Sequence, residues 1–119
     1  MLKGGNQYPV SVVTPFYNVD LNVFRKCYES LKAQTIGFEN LEWIIVVHNS
    51  KPEYLRGVCE MLSDLPNVQV LELNNDRHTP SSPRNYGLNF VHGIYVGFLD
   101  ADDTYSPECC EKVADYMKS

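Results

Sequence analysis

Residues 97–107, Gly-Phe-Leu-Asp-Ala-Asp-Asp-Thr-Tyr-Ser-Pro, place Asp100, Asp102 and Asp103 within four positions, straight after an apolar run. Carboxylates that close repel one another, so something has to make the arrangement tolerable. In a non-helical Asp-Ala-Asp stretch the two acidic side chains lie on roughly one side, with a small residue between them. A hard cation such as Mg2+ or Mn2+ takes oxygen ligands, commonly one or two carboxylates completed by substrate phosphates and water. Its charge would offset the repulsion. The run also precedes a helical pattern, and a helix N-terminus favours anions. Plain solvation is the third option. The run by itself leaves these readings open.

Position decides among them, and position comes from the surrounding elements. Residues 8–16 are β-branched and bracketed by prolines, which reads as a strand. Leu21, Phe24, Tyr28 and Leu31 then form one stripe of a helix, with Asp20 as N-cap. Residues 41–49 are nearly continuous apolar, as in a strand covered on both faces, and hold Trp43 in the core. Tyr54, Leu55, Val58, Met61, Leu62 and Leu65 repeat the helical pattern, and residues 67–73 alternate with period two as a third strand. The segment 81–93 predicts a helix capped by serine, with Pro83 in its first turn, Gly93 just past its end and His92 near its C-terminus, where a cation is favoured. Residues 94–99 form a fourth strand, apolar on both faces, and a last helix is capped by Ser106 with Pro107 at its first position.

Strands alternating with helices predict an α/β, Rossmann-like domain: a mostly parallel four-stranded sheet with helices on both faces. Ligands of such sheets bind beyond the carboxyl ends of the strands. The first strand delivers Thr14, Pro15, Tyr17 and Asn18 to that rim, the second His48, Asn49 and Ser50, the third Asn74–Asp76, and the fourth Asp100–Asp103. The unusual polar chemistry therefore gathers on one edge. Neither GxGxxG after the first strand nor GxxxxGK[ST] occurs, so the common dinucleotide and P-loop fingerprints are absent.

The chain of 119 residues suits one domain, and a formal net charge of −5 argues against a nucleic-acid partner. No apolar run approaches the ~20 residues of a membrane span. Residues 1–10 lack the apolar core of a signal peptide. Cys27, Cys59, Cys109 and Cys110 show no CxxC spacing, which reads as reduced thiols and a cytoplasmic location, with peripheral contact to a membrane compatible. A zinc site from Cys109, Cys110, His78 and His92 fits no common ligand spacing.

Several segments, in this order and spacing, carry a resemblance. Residues 11–18 (Val-Ser-Val-Val-Thr-Pro-Phe-Tyr-Asn runs from 10), the helix ending in Gln34-Thr35, residues 42–50 ending in His-Asn-Ser, and residues 81–103 from Pro83-Arg84-Asn85 to Asp-Ala-Asp-Asp are similar to the nucleotide-binding half of family 2 glycosyltransferases of the GT-A fold. The resemblance runs from Pro9 to about Met117. It implies a nucleoside-diphosphate sugar, with a UDP-sugar favoured, and Mg2+ or Mn2+ bridging the acidic motif to the diphosphate. It implies transfer to a hydroxyl of a saccharide or cell-surface polymer by direct, inverting displacement. Thr14, Pro15, Tyr17 and Asn18 would floor the base and ribose pocket. Asp100 would face the ribose or the metal's water shell, Asp102 would ligate the metal, and Ala101 would lie between them. Asp103 would be a nearby partner or a helix-start residue. Arg84 would bind diphosphate or hold Asp100 or Asp102, and Asn85 would brace the same loop.

His48 departs from the family pattern, which offers aspartates in this loop. Neutral imidazole still has one donor and one acceptor, so it could accept from a uracil N3–H. Domains of this family also run well beyond this length, and their second half supplies the general base. The expectation is therefore a truncated, donor-binding piece without transferase activity of its own. An uncovered fourth strand would favour a homodimer. Two alternatives stand beside this reading: a non-catalytic nucleotide-sugar or metal-binding module, and an unrelated flavodoxin-like regulatory domain.

Overall fold

The four apolar runs become strands Val10–Phe16 (β1), Leu41–His48 (β2), Val68–Leu73 (β3) and Tyr95–Phe98 (β4). Between and after them lie helices Leu21–Lys32 (α1), Pro52–Met61 (α2), Ser81–Leu88 (α3) and Cys109–Lys118 (α4). The computed structural model describes residues 8–77, 79 and 81–118. His78, weighed above as a zinc ligand, lies outside the described residues. All pairings are parallel, and the sheet order is β3-β2-β1-β4. That order matches half of the doubly wound dinucleotide-binding sheet, whereas the flavodoxin order would place the first strand between the second and third. The flavodoxin alternative is thereby set aside.

Residues alternate between the two sheet faces, so each strand feeds two cores. On one face Val12, Phe16, Trp43, Ile45 and Val47 pack with Phe24, Cys27 and Leu31 of α1, Val58 of α2, and Cys110 and Ala114 of α4. Trp43 is fully buried, stacked on Phe24 at 5.6 Å and on Tyr28 at 5.8 Å between ring centroids. Each such large apolar side chain contributes roughly 1.5–3 kcal/mol by leaving water. On the other face α3 lies against β1 and β2 at Gly87. A Cβ there would come within 2.7 Å of Val13 Cγ1 and 3.2 Å of Val46 Cγ2, so the helix can approach this closely only without one.

Every residue of β2 is buried, as its continuous apolar run predicts. The fourth strand differs from expectation. It is an edge strand, and although its Tyr95 and Gly97 face the larger core, Ile94, Val96 and Phe98 remain exposed beside the end of α3. The helix α3 is too short to cover them. It stops at Leu88, and the chain leaves it through turns closed by Asn89 N–H to Tyr86 O and Phe90 N–H to Gly87 O. Gly93 is therefore not its cap.

The reason lies at the lower end of the sheet. Glu42, an acidic residue inside the apolar β2, is buried there and accepts from Ser11 Oγ at 2.7 Å and from His92 N–H at 2.6 Å, with His92 Nδ1 at 2.7 Å from its other oxygen. Gly93 N–H donates to Ser11 Oγ at 2.8 Å, and a Cβ on Gly93 would meet that oxygen at 2.3 Å. The His92-Gly93 pair thus serves to dock the α3–β4 connection onto β1 and β2, not to end a helix. The last helix also begins later than predicted, at Cys109, with residues 107–108 in a turn. Asp20 caps α1 as expected, accepting from Asn22 N–H and Val23 N–H. No helix among the described residues is long and apolar enough to cross a membrane.

Glu42→Ala strands a buried hydroxyl and a backbone N–H, which costs roughly 1–3 kcal/mol. Urea unfolding should show that loss with an unchanged m-value. A change within about 0.5 kcal/mol, the range of an ordinary surface substitution, would mean that the cluster is not holding the connection.

Candidate functional site: a cavity and an acidic turn at the strand rim

The strand order reverses between β1 and β4, and a cavity of about 390 Å³ opens there beyond their carboxyl ends. Of the residues expected at the site, Pro15, Tyr17, His48, Asn49, Asp100, Ala101 and Asp102 line it. Phe16, Val19, Thr79 and Pro83 join them, none of which was expected to line the site. Pro83 comes from α3 and Thr79 from the loop before it, neither of which has a chemical signature in the sequence.

The remaining candidates take other positions. Thr14 is fully buried on the larger core face, where its hydroxyl accepts from Trp43 Nε1–H at 2.8 Å. Its side chain is turned away from the rim because strand alternation sends it to the same face as Val12 and Phe16. Asn18 and Ser50 fasten two rim loops together. Asn18 N–H donates to Ser50 Oγ at 2.9 Å, and Asn18 Oδ1 accepts from Lys51 N–H at 3.0 Å. Asn18 and Asn49 both have left-handed backbone, φ 47° and 50°, which asparagine tolerates better than most residues. Asn85 is exposed, and its side chain makes no hydrogen bond among the described residues.

Arg84 reaches from α3 to Asp100, with Nη2 to Oδ1 at 2.7 Å, and its guanidinium lies 5.8 Å from the Phe98 ring centroid. Its Nε is buried without a hydrogen-bond partner. Of the two roles open to it, holding Asp100 is the one this geometry displays. The pair is more than a third exposed, so its worth lies in orientation more than in stability.

Asp100, Asp102 and Asp103 each offer a carboxylate oxygen within 4.8 Å of the others. Asp103 N–H closes the turn on Asp100 O at 3.0 Å, and Ala101 between them packs into the core. The helix explanation for this run fails, because α4 begins at Cys109, six residues beyond Asp103, and the pull of a helix N-terminus fades within a turn. Asp103 is accordingly not a helix-start residue. An all-oxygen cluster of this kind, with Asp100 already paired to Arg84 and two exposed carboxylates beside it, fits a hard divalent cation.

The acidic turn is held from below by residues whose contacts here the sequence did not reveal. Gln34 is buried; its Nε2 donates to Ser106 O at 2.8 Å and to Ser30 O at 3.1 Å, while its Oε1 accepts from Cys110 N–H at 3.0 Å. Thr35 N–H donates to Pro107 O at 2.8 Å, and Tyr105 Oη donates to Phe98 O at 2.7 Å. The Gln34-Thr35 pair noted at the end of the first helix thus ties α1 to the segment after the aspartates.

The thiols beneath are shifted strongly. Burial, and after it the charges of Asp103, Asp102 and Asp100, push the Cys27 thiol up to about 12. Burial and then Cys109 push Cys110 up to about 12. Below pH 9.0, the ordinary value, each thiol is protonated whether the chain is folded or not, and its contribution to stability is complete. Between 9.0 and about 12 the unfolded chain ionises and the folded thiols do not, so stability falls as pH rises through that window. The urea midpoint should drop across it in the native chain and drop less in a Cys27→Ala/Cys110→Ala double variant. Equal slopes would contradict the assignment.

Known proteins show where this architecture belongs. The glycosyl transferase family 2 model matches residues 11–119. The minor teichoic acid biosynthesis protein GgaB of Bacillus subtilis (strain 168) is 37% identical over 111 residues, covering 92% of this chain and 12% of its own length. The glycosyltransferase GlyA of Streptococcus pneumoniae serotype 4 is 32% identical over 112 residues, covering 91% of this chain and 15% of its own. Residues 1–349 of S. aureus TarS, solved in complex with UDP-GlcNAc, superpose with a TM-score of 0.80 at 27% identity, over 92% of this chain and 31% of that one. The chain therefore spans a third or less of the length of these relatives. With its family match over nearly its whole length, its parallel Rossmann-like sheet and its acidic turn at the switch point, this chain belongs to glycosyl transferase family 2.

Proposed function

We propose that this chain supplies the nucleoside-diphosphate-sugar site of an inverting, metal-dependent glycosyltransferase that acts on a hydroxyl of a saccharide or cell-surface polymer. The observation that carries the reading is the cluster of Asp100, Asp102 and Asp103 oxygens on the edge of the 390 Å³ cavity, at the switch point of a family 2 sheet. The TarS structures with UDP and with UDP-GlcNAc support a UDP-sugar as donor, and the relatives' names support a cell-surface polymer as acceptor.

Asp102 and Asp103, with the free oxygen of Asp100, would hold Mg2+ or Mn2+. When bound, such an ion neutralises charge growing on the leaving diphosphate. The protein's own contribution is orientation. Arg84 fixes the Asp100 carboxylate, which would otherwise be repelled by its neighbours. Tyr17 and Pro15 floor the cavity on one side, His48 and Asn49 form another wall, and Pro83 brings α3 to the third. Asn18 and Ser50 keep the first two walls in register. The acceptor-activating base is assigned to no residue of this chain, so transfer by these 119 residues alone is expected to stay at background.

A cytoplasmic site at the membrane periphery is the location this reading implies. The uncharged β4 edge, residues 95–98, contrasts with Glu72 on the opposite edge strand β3, and is the surface proposed for pairing with a second copy. Sedimentation that shows a monomer at all concentrations would remove the pairing.

Asp102→Asn should abolish Mn2+-dependent binding of UDP, read by calorimetry, while leaving the unfolding transition within about 0.5 kcal/mol of the parent, as for an exposed position. Equal Mn2+-dependent affinity in both proteins would remove the metal role. Retained binding by a refolding, well-ordered variant is the decisive comparison with a non-catalytic module that holds nucleotide without metal.

A further inference from the structure

The acidic turn has two legs, held in different ways. The upstream leg leaves β4 with Leu99 N–H donating to Val13 O at 3.1 Å, so the sheet itself sets where Asp100 begins. The downstream leg, residues 103–106, has no regular structure, and Asp102, Asp103, Thr104, Ser106, Pro107 and Glu108 are exposed. A segment with so little apolar burial opens easily unless hydrogen bonds tie it down. Among the described residues one tie goes to β4, from Tyr105 Oη to Phe98 O. The others come from the end of α1 and the turn after it. Ser30 Oγ accepts from Tyr105 N–H at 3.3 Å, Gln34 Nε2 donates to Ser106 O at 2.8 Å, and Thr35 N–H donates to Pro107 O at 2.8 Å.

Gln34 alone among these residues bonds both to Ser106, ahead of α4, and to Cys110, inside it. It is 4% exposed. Its Nε2 donates to two carbonyls, Ser106 O and Ser30 O, and its Oε1 accepts from Cys110 N–H at 3.0 Å. That set fixes the orientation of the amide, because two carbonyls need the NH2 and an N–H needs the oxygen. An ionised glutamate has the same shape but only acceptors. Gln34→Glu would therefore set a carboxylate oxygen against two carbonyl oxygens and keep the bond from Cys110 N–H. Ser106 stands three positions after Asp103, whose N–H closes the acidic turn on Asp100 O at 3.0 Å. A shift at Ser106 thus reaches Asp103 and Asp102 through a short stretch of backbone. An oxygen ligand of Mg2+ has to stand at about 2.0–2.1 Å in near-octahedral geometry, and a site tolerates misplacement of only about 0.5 Å.

We propose that Gln34 is a positioning residue for the cation: its buried amide, at the end of α1, pins the downstream leg of the acidic turn so that Asp102 and Asp103 stand with Asp100 at ligating distance of one ion. The inference rests on the metal reading of the acidic cluster. Gln34 bonds to no carboxylate and does not line the cavity, so it acts through the backbone of residues 103–106. The walls formed by Pro15, Tyr17, His48 and Asn49 are kept in place separately, by the bonds between Asn18, Ser50 and Lys51. Loss of the amide should therefore weaken what the cation adds to nucleotide binding and spare nucleotide binding without it. A residue that only stabilised the fold would not separate the two.

The test titrates UDP into the full chain with and without Mn2+, in the parent and in Gln34→Glu, and reads the factor by which Mn2+ raises UDP affinity. That factor should fall at least ~10-fold in Gln34→Glu, a usual size for coupling between two sites, while UDP affinity without Mn2+ stays within about 2-fold. An unchanged factor, or equal losses with and without Mn2+, would overturn the inference and leave the metal reading standing. A parent in which Mn2+ adds nothing would overturn the metal reading itself. The second measurement needs no substitution. Coupling is reciprocal, so if opening the clamp weakens the cation, the bound cation must oppose opening of the clamp. Hydrogen exchange by mass spectrometry is compared for the Cys110 amide, held by Gln34 Oε1, and the Gly93 amide, held by Ser11 Oγ at the far end of the sheet. Adding Mn2+ to the UDP-bound chain should slow exchange at Cys110 at least ~10-fold and leave Gly93 unchanged. No slowing at Cys110, or equal slowing at both, would refute the positioning role even if Gln34→Glu fails to fold.

Discussion

Mutual repulsion of three carboxylates at the end of an edge strand is the constraint on which the rest of the rim depends. Nothing about Asp100, Asp102 and Asp103 would hold them within 4.8 Å of one another unaided. The fold supplies a brace from each side. From the α3 face, Arg84 compensates Asp100 at 2.7 Å. From the α1 face, Gln34 fixes the start of α4 with two hydrogen bonds, to Ser106 O and from Cys110 N–H, and Tyr105 ties the descending chain back to Phe98. The turn itself is closed by Asp103 N–H on Asp100 O, and Ala101 anchors its middle in the core. Two of the carboxylates are left exposed with no such compensation. The cost of assembling them is one that a bound cation would offset.

The same division between residues that face the cavity and residues that hold them runs through the other loops. Tyr17 and His48 line the cavity, while Asn18 and Ser50, next to them in sequence, bond to each other and to backbone instead. The left-handed backbone at Asn18 and Asn49 is the local device that turns each loop sharply after its strand. A polar motif at the end of a strand is thus half cavity lining and half scaffold.

Opposite the rim, the burial of Glu42 determines where the third crossover lands. Its two oxygens gather Ser11, the His92 backbone and the His92 ring. Gly93 then passes so close to β1 that no side chain fits. This docking sends β4 alongside β1 in register, Val10 opposite Tyr95 through Val13 opposite Phe98, and so delivers Asp100 to the switch point. The same short α3 leaves Val96 and Phe98 uncovered. Placement of the acidic turn and exposure of an apolar strand face are therefore two results of one connection.

Hydrophobic periodicity was enough to determine the α/β alternation, the doubly covered β2, the core position of Trp43 and the cap at Asp20, because these depend on local spacing and on burial alone. It was also enough to bring the polar motifs to one rim, since parallel crossovers put all carboxyl ends on the same edge. The sequence could not show which side of the sheet each polar residue would face or which distant group it would meet. Thr14 reads as a rim residue until strand alternation commits it to Trp43. Gly93 and His92 read as a helix end until Glu42, 50 positions from His92, claims them. Arg84 is undecided until it meets Asp100. Each of these depends on hydrogen bonds between segments far apart in the chain, and only the tertiary structure brings those donors and acceptors within 3 Å or so of each other.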